Sequence, residues 1–178
     1  MAVDHQVAAD FWSANQRRDP DSFVKLYPHP FLVETSVQTF GGAQSFQTRP
    51  GVEAFELMIQ EGYARAIKPQ SKVFTVAKRT ATFPGKISIG RAKNTDIVIP
   101  DGDLSKLHAL IALEGGRYRI SDADSKNGTF VNGRRLEPGE VREVKDDDLV
   151  WFGPRISFRF LAPVTFHARL TAMGAGAR

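Results

Sequence analysis

Three polar side chains stand where the chain is expected to turn, and their types suit ligand binding: Arg91, Ser105 and Asn127. Arg91 follows the apolar segment "ISIG", so its planar guanidinium at a strand end could offer several donors to phosphate oxygens. Ser105 follows "PDGD", and its hydroxyl could donate to the same kind of oxygen. The amide of Asn127 has both a donor and an acceptor, which suits pairing with a peptide main chain.

Simpler roles are open to the same side chains. Arg91 could be a solvated surface arginine, and Ser105 could bond its own backbone in a turn. Asn127 lies in "DSKNGTFVNG", which holds two Asn-Gly pairs, the strongest short-range turn signal. Both pairs could be hairpin turns and nothing more.

Residues that would support catalysis or metal binding are scarce. The chain has no cysteine, which excludes disulfides, thiolate catalysis and cysteine zinc sites. His5, His29 and His167 have no ligand spacing, and no serine–histidine–acid arrangement is needed to explain His108, which opens the apolar segment "HALIAL". We therefore predict no catalytic residue, no metal and no cofactor.

The elements that must position these residues are short strands. From residue 72 to residue 161, apolar and β-branched runs alternate with turn signals such as Pro84-Gly85, Gly115-Gly116 and Pro138-Gly139. Strands separated by turns every 8–12 residues or so indicate a β-sandwich or barrel. No helical pattern interrupts them, which argues against a parallel α/β sheet.

Residues 1–70 follow a different pattern. Apolar residues at helical spacing come first, and Asp19-Pro20 predicts a capped helix that runs to Leu26. A hairpin around Gly41-Gly42 and a helix over residues 51–67 are expected next. Residues 171–178, "TAMGAGAR", are predicted to form a loose tail.

Composition narrows the functional classes. The chain has 178 residues, 42% hydrophobic and 25% charged, with a net charge of +4, which is typical of a soluble globular protein. Its basic residues are interspersed with acids, which argues against a nucleic-acid partner. No apolar run is long enough for a membrane span and the N-terminus does not resemble a secretory signal, so we expect a cytoplasmic protein without a membrane partner.

The order of the motifs over residues 72–162 resembles the forkhead-associated (FHA) domain. The matching pieces are Gly90-Arg91, Ser105-x-x-His108, Asn127-Gly128-Thr129 and a second pair, Asn132-Gly133. The resemblance implies an eleven-stranded β-sandwich that binds phosphothreonine peptides through loops at one end. It also implies a small apolar recess for the threonine methyl and no catalytic machinery.

The resemblance assigns roles residue by residue. Arg91 and Ser105 match residues that hold the phosphate, and Asn127 matches an asparagine that holds the main chain of the peptide. Lys106 and Lys126 depart from the family, which often has Arg or Asn at the first position and a hydroxyl residue at the second. Both cations keep an attraction for phosphate, as point charges, and we include them in the predicted binding set.

Other matching residues are expected to support the site. The family histidine that matches His108 ties the binding loop together by hydrogen bonds and takes no part in acid or base chemistry. The remaining predicted support residues are Gly90, Gly128, Thr129, Asn132 and Gly133.

Asp103 stands where the family selects its ligand, two places before the motif serine and near the peptide residue three positions after the phosphothreonine. Asp101 lies two residues further back. Two carboxylates at this rim are expected to disfavour an acidic residue at the +3 position and to favour Lys or Arg there.

The predicted protein is mainly β, with a small α+β extension over residues 1–70 packed on an FHA-like sandwich over 71–163, and a tail over 164–178. Its predicted function is that of a phosphothreonine-dependent adaptor in signalling by Ser/Thr kinases. The alternative is a phosphate-independent interaction or scaffolding module on the same fold. An enzyme in residues 1–70 is disfavoured, because they offer no metal cluster, phosphate loop or nucleophile with an adjacent base.

Overall fold

The computed structural model describes residues 6–35, 67–153 and 155–175 of the chain. Within them the chain forms twelve strands and three helices. The strands are β1 Gln6–Val7, β2 Phe31–Thr35, β3 Lys72–Thr75, β4 Lys86–Gly90, β5 Ile97–Val98, β6 Ala109–Glu114, β7 Arg117–Asp122, β8 Thr129–Val131, β9 Arg134–Arg135, β10 Val141–Val144, β11 Leu149–Phe152 and β12 Ser157–Leu161. The helices are α1 Ala8–Asn15, α2 Pro20–Leu26 and α3 Pro163–Ala175.

The strands form two sheets. One has seven strands in the order β1-β3-β2-β12-β11-β8-β9, and the other has five in the order β10-β7-β6-β4-β5. All pairings are antiparallel except that of β4 with β5. The prediction of a mainly β sandwich is therefore confirmed.

The main core lies between the two sheets, because alternate residues of each strand point inward. Val150 and Phe152 of β11 belong to this core, whereas Leu149 and Trp151 belong to a separate buried cluster with Phe130. On the five-stranded sheet, the inward positions are filled by isoleucines such as Ile111, Ile120 and Ile89.

Strand β2 comes from the predicted N-terminal extension but lies inside the sandwich. It pairs with β3 on one side and with β12 on the other, and the hydroxyls of Thr35 and Ser157 meet at 2.6 Å. At β2, therefore, the segment before residue 71 goes further than the predicted packing on the sandwich and contributes a strand to one of its sheets. A local pattern does not show this pairing, because the two strands are 122 residues apart.

The helices cover the outer face of the seven-stranded sheet with an aromatic cluster. Phe11 of α1, Phe23 of α2 and Phe166 of α3 are buried against Phe31 of β2. The rings of Phe31 and Phe166 are 4.5 Å apart, and Phe11 meets Phe166 edge-on at 5.4 Å. This second core fixes the three helices on the sheet.

The helix predicted after Asp19 is confirmed. The Asp19 carboxylate accepts a hydrogen bond from the Ser22 N–H at 3.0 Å, and Pro20 occupies the first turn of α2. The helix ends at Leu26, as expected from the prolines that follow. The predicted helix over residues 51–67 lies outside the described residues except for residue 67. Of the predicted hairpin around Gly41-Gly42, the structure describes the first strand up to Thr35.

The prediction of a C-terminal tail is wrong for the described part of the segment. Residues 163–175 form α3, which buries Phe166 and Leu170 against the sheet. Gly174 allows this packing, because a Cβ atom there would overlap the ring of Trp12. The close approach of α3 to Trp12 therefore explains why residue 174 is a glycine.

No helix in the described ranges is long and apolar enough to cross a membrane.

Candidate functional site

The first part of the site is the end of β4, where Gly90 and Arg91 lie against the loop that carries Ser105. The Arg91 N–H donates to the Ser105 carbonyl at 3.1 Å, and the Ala92 N–H donates to the Lys106 carbonyl at 3.1 Å. A Cβ atom at Gly90 would overlap the Lys106 carbonyl oxygen and lie 2.8 Å from its carbon. Only glycine allows this close approach, which sets the position of Arg91 beside Ser105.

The far end of the Arg91 loop is held by Asp96, which is fully buried. Its carboxylate accepts hydrogen bonds from the backbone N–H groups of Arg79, Thr80 and Ser88 at 2.7, 2.6 and 2.8 Å, and from the Lys78 ammonium at 2.8 Å. Burial alone would raise the pKa of Asp96, but these bonds outweigh it and hold the pKa well below its usual range. The loop that presents Arg91 is thus fixed at both ends.

His108 links the two sheets beneath the site. Its Nδ1 accepts a hydrogen bond from the Ser105 N–H at 3.2 Å, and its Nε2 donates to the Gly128 carbonyl at 3.1 Å. The ring is fully buried, and both bonds require the neutral tautomer with the proton on Nε2. Burial lowers the pKa of His108, although the Gly128 carbonyl and the nearby Asp122 oppose the shift.

These bonds predict a pH dependence of stability. As pH falls, the unfolded chain binds a proton at His108 near pH 6.5, whereas the folded protein resists protonation to a lower pH. The contribution of neutral His108 to the free energy of unfolding is therefore complete above about pH 6.5 and is lost as the pH falls below 6.5. We expect the Tm of the ligand-free protein to fall between about pH 7.5 and about pH 5.5.

The control for this experiment is an exposed histidine. His108→Gln should lower the Tm and should also make the Tm depend less on pH. His29→Gln should leave the pH dependence of the Tm unchanged. A His108→Gln variant with the same pH profile as the wild type would show that His108 is not the titrating group.

The third strand-end loop, residues 123–128, is held by Asp122, a residue that sequence reasoning missed. Its carboxylate accepts bonds from the Ser125 hydroxyl at 2.7 Å, the Ser125 N–H at 2.9 Å and the Thr129 hydroxyl at 2.6 Å. Ser125 in turn accepts from the Gly128 N–H at 2.9 Å. The sequence does contain a signal for this arrangement, because an aspartate at the end of a predicted strand is followed three residues later by a serine.

Ser105 joins the two loops that face each other across the site. Its Oγ accepts a hydrogen bond from the Lys126 N–H at 3.0 Å, which leaves the hydroxyl proton of Ser105 to donate elsewhere. The side-chain amide of Asn127 donates to the Asp103 carbonyl at 2.8 Å. Its Oδ1 has no partner among the described residues and remains an acceptor for a ligand.

The two Asn-Gly pairs have different conformations. In the first pair only Gly128 has a positive φ, of 83°, and the loop continues into β8. In the second, Asn132 and Gly133 have φ of 50° and 77° and form the predicted two-residue hairpin between β8 and β9. The Asn132 side chain also accepts from the Leu149 N–H at 2.9 Å, so the second turn is anchored to β11.

Asp103 does not stand free at the rim as the sequence suggested. Its carboxylate accepts two hydrogen bonds from Arg155, at 2.6 Å from Nε and 2.8 Å from the second nitrogen. This bidentate pair lowers the pKa of Asp103. We expected acidic ligand residues to be repelled because we assumed that the carboxylates at the rim are free. At Asp103 this assumption does not hold, since Arg155 neutralises the carboxylate. Only the spatial neighbourhood reveals Arg155, which is 52 residues away in the sequence.

The predicted binding residues therefore meet at one end of the sandwich. Arg91, Lys106 and Lys126 are exposed, and Ser105 and Asn127 are half-buried between them. No cluster of histidine and acidic residues that could hold a metal ion occurs in the described ranges of this structure. The arrangement offers cationic side chains, a hydroxyl donor and an amide, which together can hold a phosphate and a short stretch of main chain.

A two-sheet β-sandwich with its polar groups on loops at one end is an arrangement typical of binding modules. Residues 87–153 match the family model of the FHA domain, so the chain carries an FHA domain, as its motifs predicted. This match begins within β4 and ends just after β11, so it leaves out β1, β2, β3 and β12.

Known relatives are similar to part of this chain. An ABC transporter ATP-binding/permease protein of Mycobacterium tuberculosis is 44% identical over 73 residues, which are 38% of this chain and 8% of that protein. The glycogen accumulation regulator GarA of Mycolicibacterium smegmatis is 38% identical over 66 residues, 37% of this chain and 40% of that protein. The solved structure of EmbR from Mycobacterium tuberculosis with a low-affinity phosphopeptide is 29% identical, has a TM-score of 0.40, and covers 44% of this chain and 20% of that one. In each case the chain spans less than half of the relative.

Proposed function

We propose that this protein is a phosphothreonine-dependent adaptor, which docks on a partner after a Ser/Thr protein kinase has phosphorylated it. The observation that carries the proposal is the hydrogen bond from the Arg91 backbone N–H to the Ser105 carbonyl, which brings an exposed arginine and a serine hydroxyl onto adjacent loops. Arg91 has no ion-pair partner in the described ranges, so its guanidinium is available to a ligand.

Each group then has a distinct role. Arg91 donates a fork of N–H groups to the phosphate, and the Ser105 hydroxyl donates its remaining proton. The Asn127 amide holds the peptide main chain through Oδ1. Because a phosphate brings about −1.5 to −2 charges and three strong acceptor oxygens, an unmodified threonine would lose most of these bonds.

The adaptor role is that of a binding module without enzymatic activity. The FHA domain supports this proposal for the region that it spans, and the adaptor needs neither a cofactor nor a nucleic acid. Because phosphorylation depends on kinases that use ATP, we place the protein in the cytoplasm. Lys106 and Lys126 are part of the same proposed site, and Asp103 with Arg155 forms its rim.

A calorimetric titration with three matched peptides tests the proposal. A peptide with phosphothreonine should bind, and its unmodified form should bind too weakly to measure. The phosphoserine form should bind about fourfold more weakly than phosphothreonine, since burying one methyl contributes about 0.8 kcal/mol.

The matched peptides also separate the proposal from its alternative. Equal binding of the phosphorylated and unmodified peptides would point to a phosphate-independent interaction module on the same fold. Equal affinity for phosphothreonine and phosphoserine would show instead that the apolar recess for the methyl group is missing.

A further inference from the structure

We propose that Thr82 is itself a phosphorylation site, and that a phosphate there loosens the loop that presents Arg91 and weakens binding of the partner. Thr82 lies on the segment between β3 and β4, away from the loops that are proposed to touch the ligand. The effect on binding rests on the proposed function, whereas the modification and its effect on stability do not.

The segment that carries Thr82 is accessible to an enzyme. Residues 76–85 form neither helix nor strand, and the two neighbours of Thr82, Ala81 and Phe83, are exposed. Phe83 is 43% exposed and has a φ of 52°, a backbone conformation that is strained for a bulky residue. Opening of the segment would release this strain, so Thr82 is carried by a part of the chain that opens at low cost.

The residues before Thr82 provide a charge pattern that a kinase can recognise. Lys78 and Arg79 are both exposed and stand just before two threonines, Thr80 and Thr82. Kinases select their substrates partly by such patterns. Thr82 is the better acceptor of the two, because both the backbone N–H and the hydroxyl of Thr80 are bound to the buried carboxylate of Asp96, at 2.6 and 3.0 Å.

The Thr82 hydroxyl contacts the loop that begins at Arg91 by two routes. It shares its proton between the Asn94 carbonyl at 3.3 Å and the Thr80 hydroxyl at 2.5 Å. The Thr80 hydroxyl in turn donates to the Asp96 carboxylate at 3.0 Å. Because Asn94 and Asp96 form the far end of the Arg91 loop, a group added to Thr82 acts on that loop directly.

A phosphate on Thr82 would oppose each of these contacts. It replaces a hydroxyl donor by acceptor oxygens, which repel the Asn94 carbonyl, and it brings negative charge within one hydroxyl group of Asp96. It would also attract the Lys78 ammonium, which donates to Asp96 at 2.8 Å and to the Thr82 carbonyl. Asp96 is fully buried, and a buried carboxylate that loses its cation strongly destabilises a protein.

The covalent step is phosphoryl transfer from ATP. The hydroxyl oxygen of Thr82 attacks the γ-phosphorus, the bond from that phosphorus to the bridging oxygen breaks, and ADP leaves. The hydroxyl proton passes to the catalytic base of the kinase. Once the anchor at Asp96 is weakened, the ligand must order the Arg91 loop when it binds, and this ordering reduces the affinity.

The full chain with phosphothreonine incorporated at a single position tests the effect. One protein carries it at Thr82 and a matched control carries it at Thr171, which is exposed on α3 and donates to the His167 carbonyl within the helix. The phosphate at Thr82 should lower the Tm by about 5 °C or more and weaken binding of a phosphothreonine peptide about tenfold. The phosphate at Thr171 should change neither quantity.

Two lysine variants identify the route. Lys78→Met removes the cation of Asp96, so it should lower the Tm of the unmodified protein. A phosphate at Thr82 should then lower the Tm by less than it does in the wild type, because the two changes break the same contact. Lys86→Met, at the exposed start of β4, is the control and should leave the effect of the phosphate unchanged.

Incubation of the full chain with ATP and a panel of Ser/Thr kinases that prefer basic substrates tests the modification itself. Mass spectrometry should locate phosphate on Thr82, and Thr82→Val should remove that signal. The inference is overturned if no kinase of the panel modifies Thr82, or if the phosphate there shifts the Tm and the affinity no more than the one at Thr171. Failure of the proposed function looks different, because then the unmodified protein would not bind the peptide, while the Tm shift and the site of modification could still be measured.

Discussion

Arg91→Ala is expected to weaken binding of a phosphothreonine peptide at least tenfold without changing the Tm of the protein. The Arg91 side chain is exposed, and the hydrogen bond that Arg91 makes within the described ranges comes from its backbone N–H, which alanine keeps. Hydrogen bonds to a charged group contribute roughly 1.5–3 kcal/mol, and about 1.4 kcal/mol corresponds to a factor of ten. The variant should therefore lose affinity for the phosphopeptide and keep its stability.

Two further variants make the result specific. Arg91→Lys keeps the charge but loses the planar fork, so it should recover only part of the affinity. Arg117→Ala removes an exposed arginine from the end of β7 that lies away from the Asp122 loop, and should have no effect on binding. Unchanged affinity in Arg91→Ala would mean that the phosphate is bound elsewhere or not at all.

Gly90→Ala is expected to disturb both the fold and the site. The added methyl would overlap the Lys106 carbonyl and approach the Cα of Leu107 at 3.1 Å, and these are backbone atoms that cannot rotate away. Overpacking of this kind costs about 1–3 kcal/mol, which corresponds to a fall in Tm of roughly 2–12 °C for a chain of this size. Because the loop that must move carries Ser105, phosphopeptide affinity should fall as well.

Gly102→Ala is the matched control, since an added methyl there meets no atom within 4 Å. Thermal unfolding and calorimetric titration of both variants make the comparison. A Gly90→Ala protein with wild-type Tm and affinity would show that the approach of β4 to the Ser105 loop is looser than the structure indicates.

The local features of the site could be read from the sequence because each depends on neighbouring residues. The hairpin at Asn132-Gly133 needs two residues with positive φ, and the Asp19 cap needs one side chain at the start of a helix. The order of the Arg91, Ser105 and Asn127 motifs also predicted three loops at one end of a sandwich. These signals extend over a few residues, so a single sequence shows them.

The parts that were missed depend on residues that are distant in the chain. Arg155 reaches Asp103 across 52 residues, and β2 pairs with β12 across more than twice that distance. Neither pairing leaves a periodic pattern in either segment. The helix α3 was missed for another reason, because its Gly174 lowers helix propensity while the packing against Trp12 requires a small residue there.

The position of β2 in the sheet constrains the order in which the protein can fold. Thr35 and Ser157 are 122 residues apart, so a ribosome adding about 5–20 residues per second needs roughly 6–25 s to supply the partner strand after β2. Until then β2 has β3 on one side and an open edge on the other, and contacts of such long range form slowly. During this interval the apolar residues Phe31, Leu32 and Val33 lie next to an unpaired edge, which leaves β2 open to pairing with the wrong chain during synthesis.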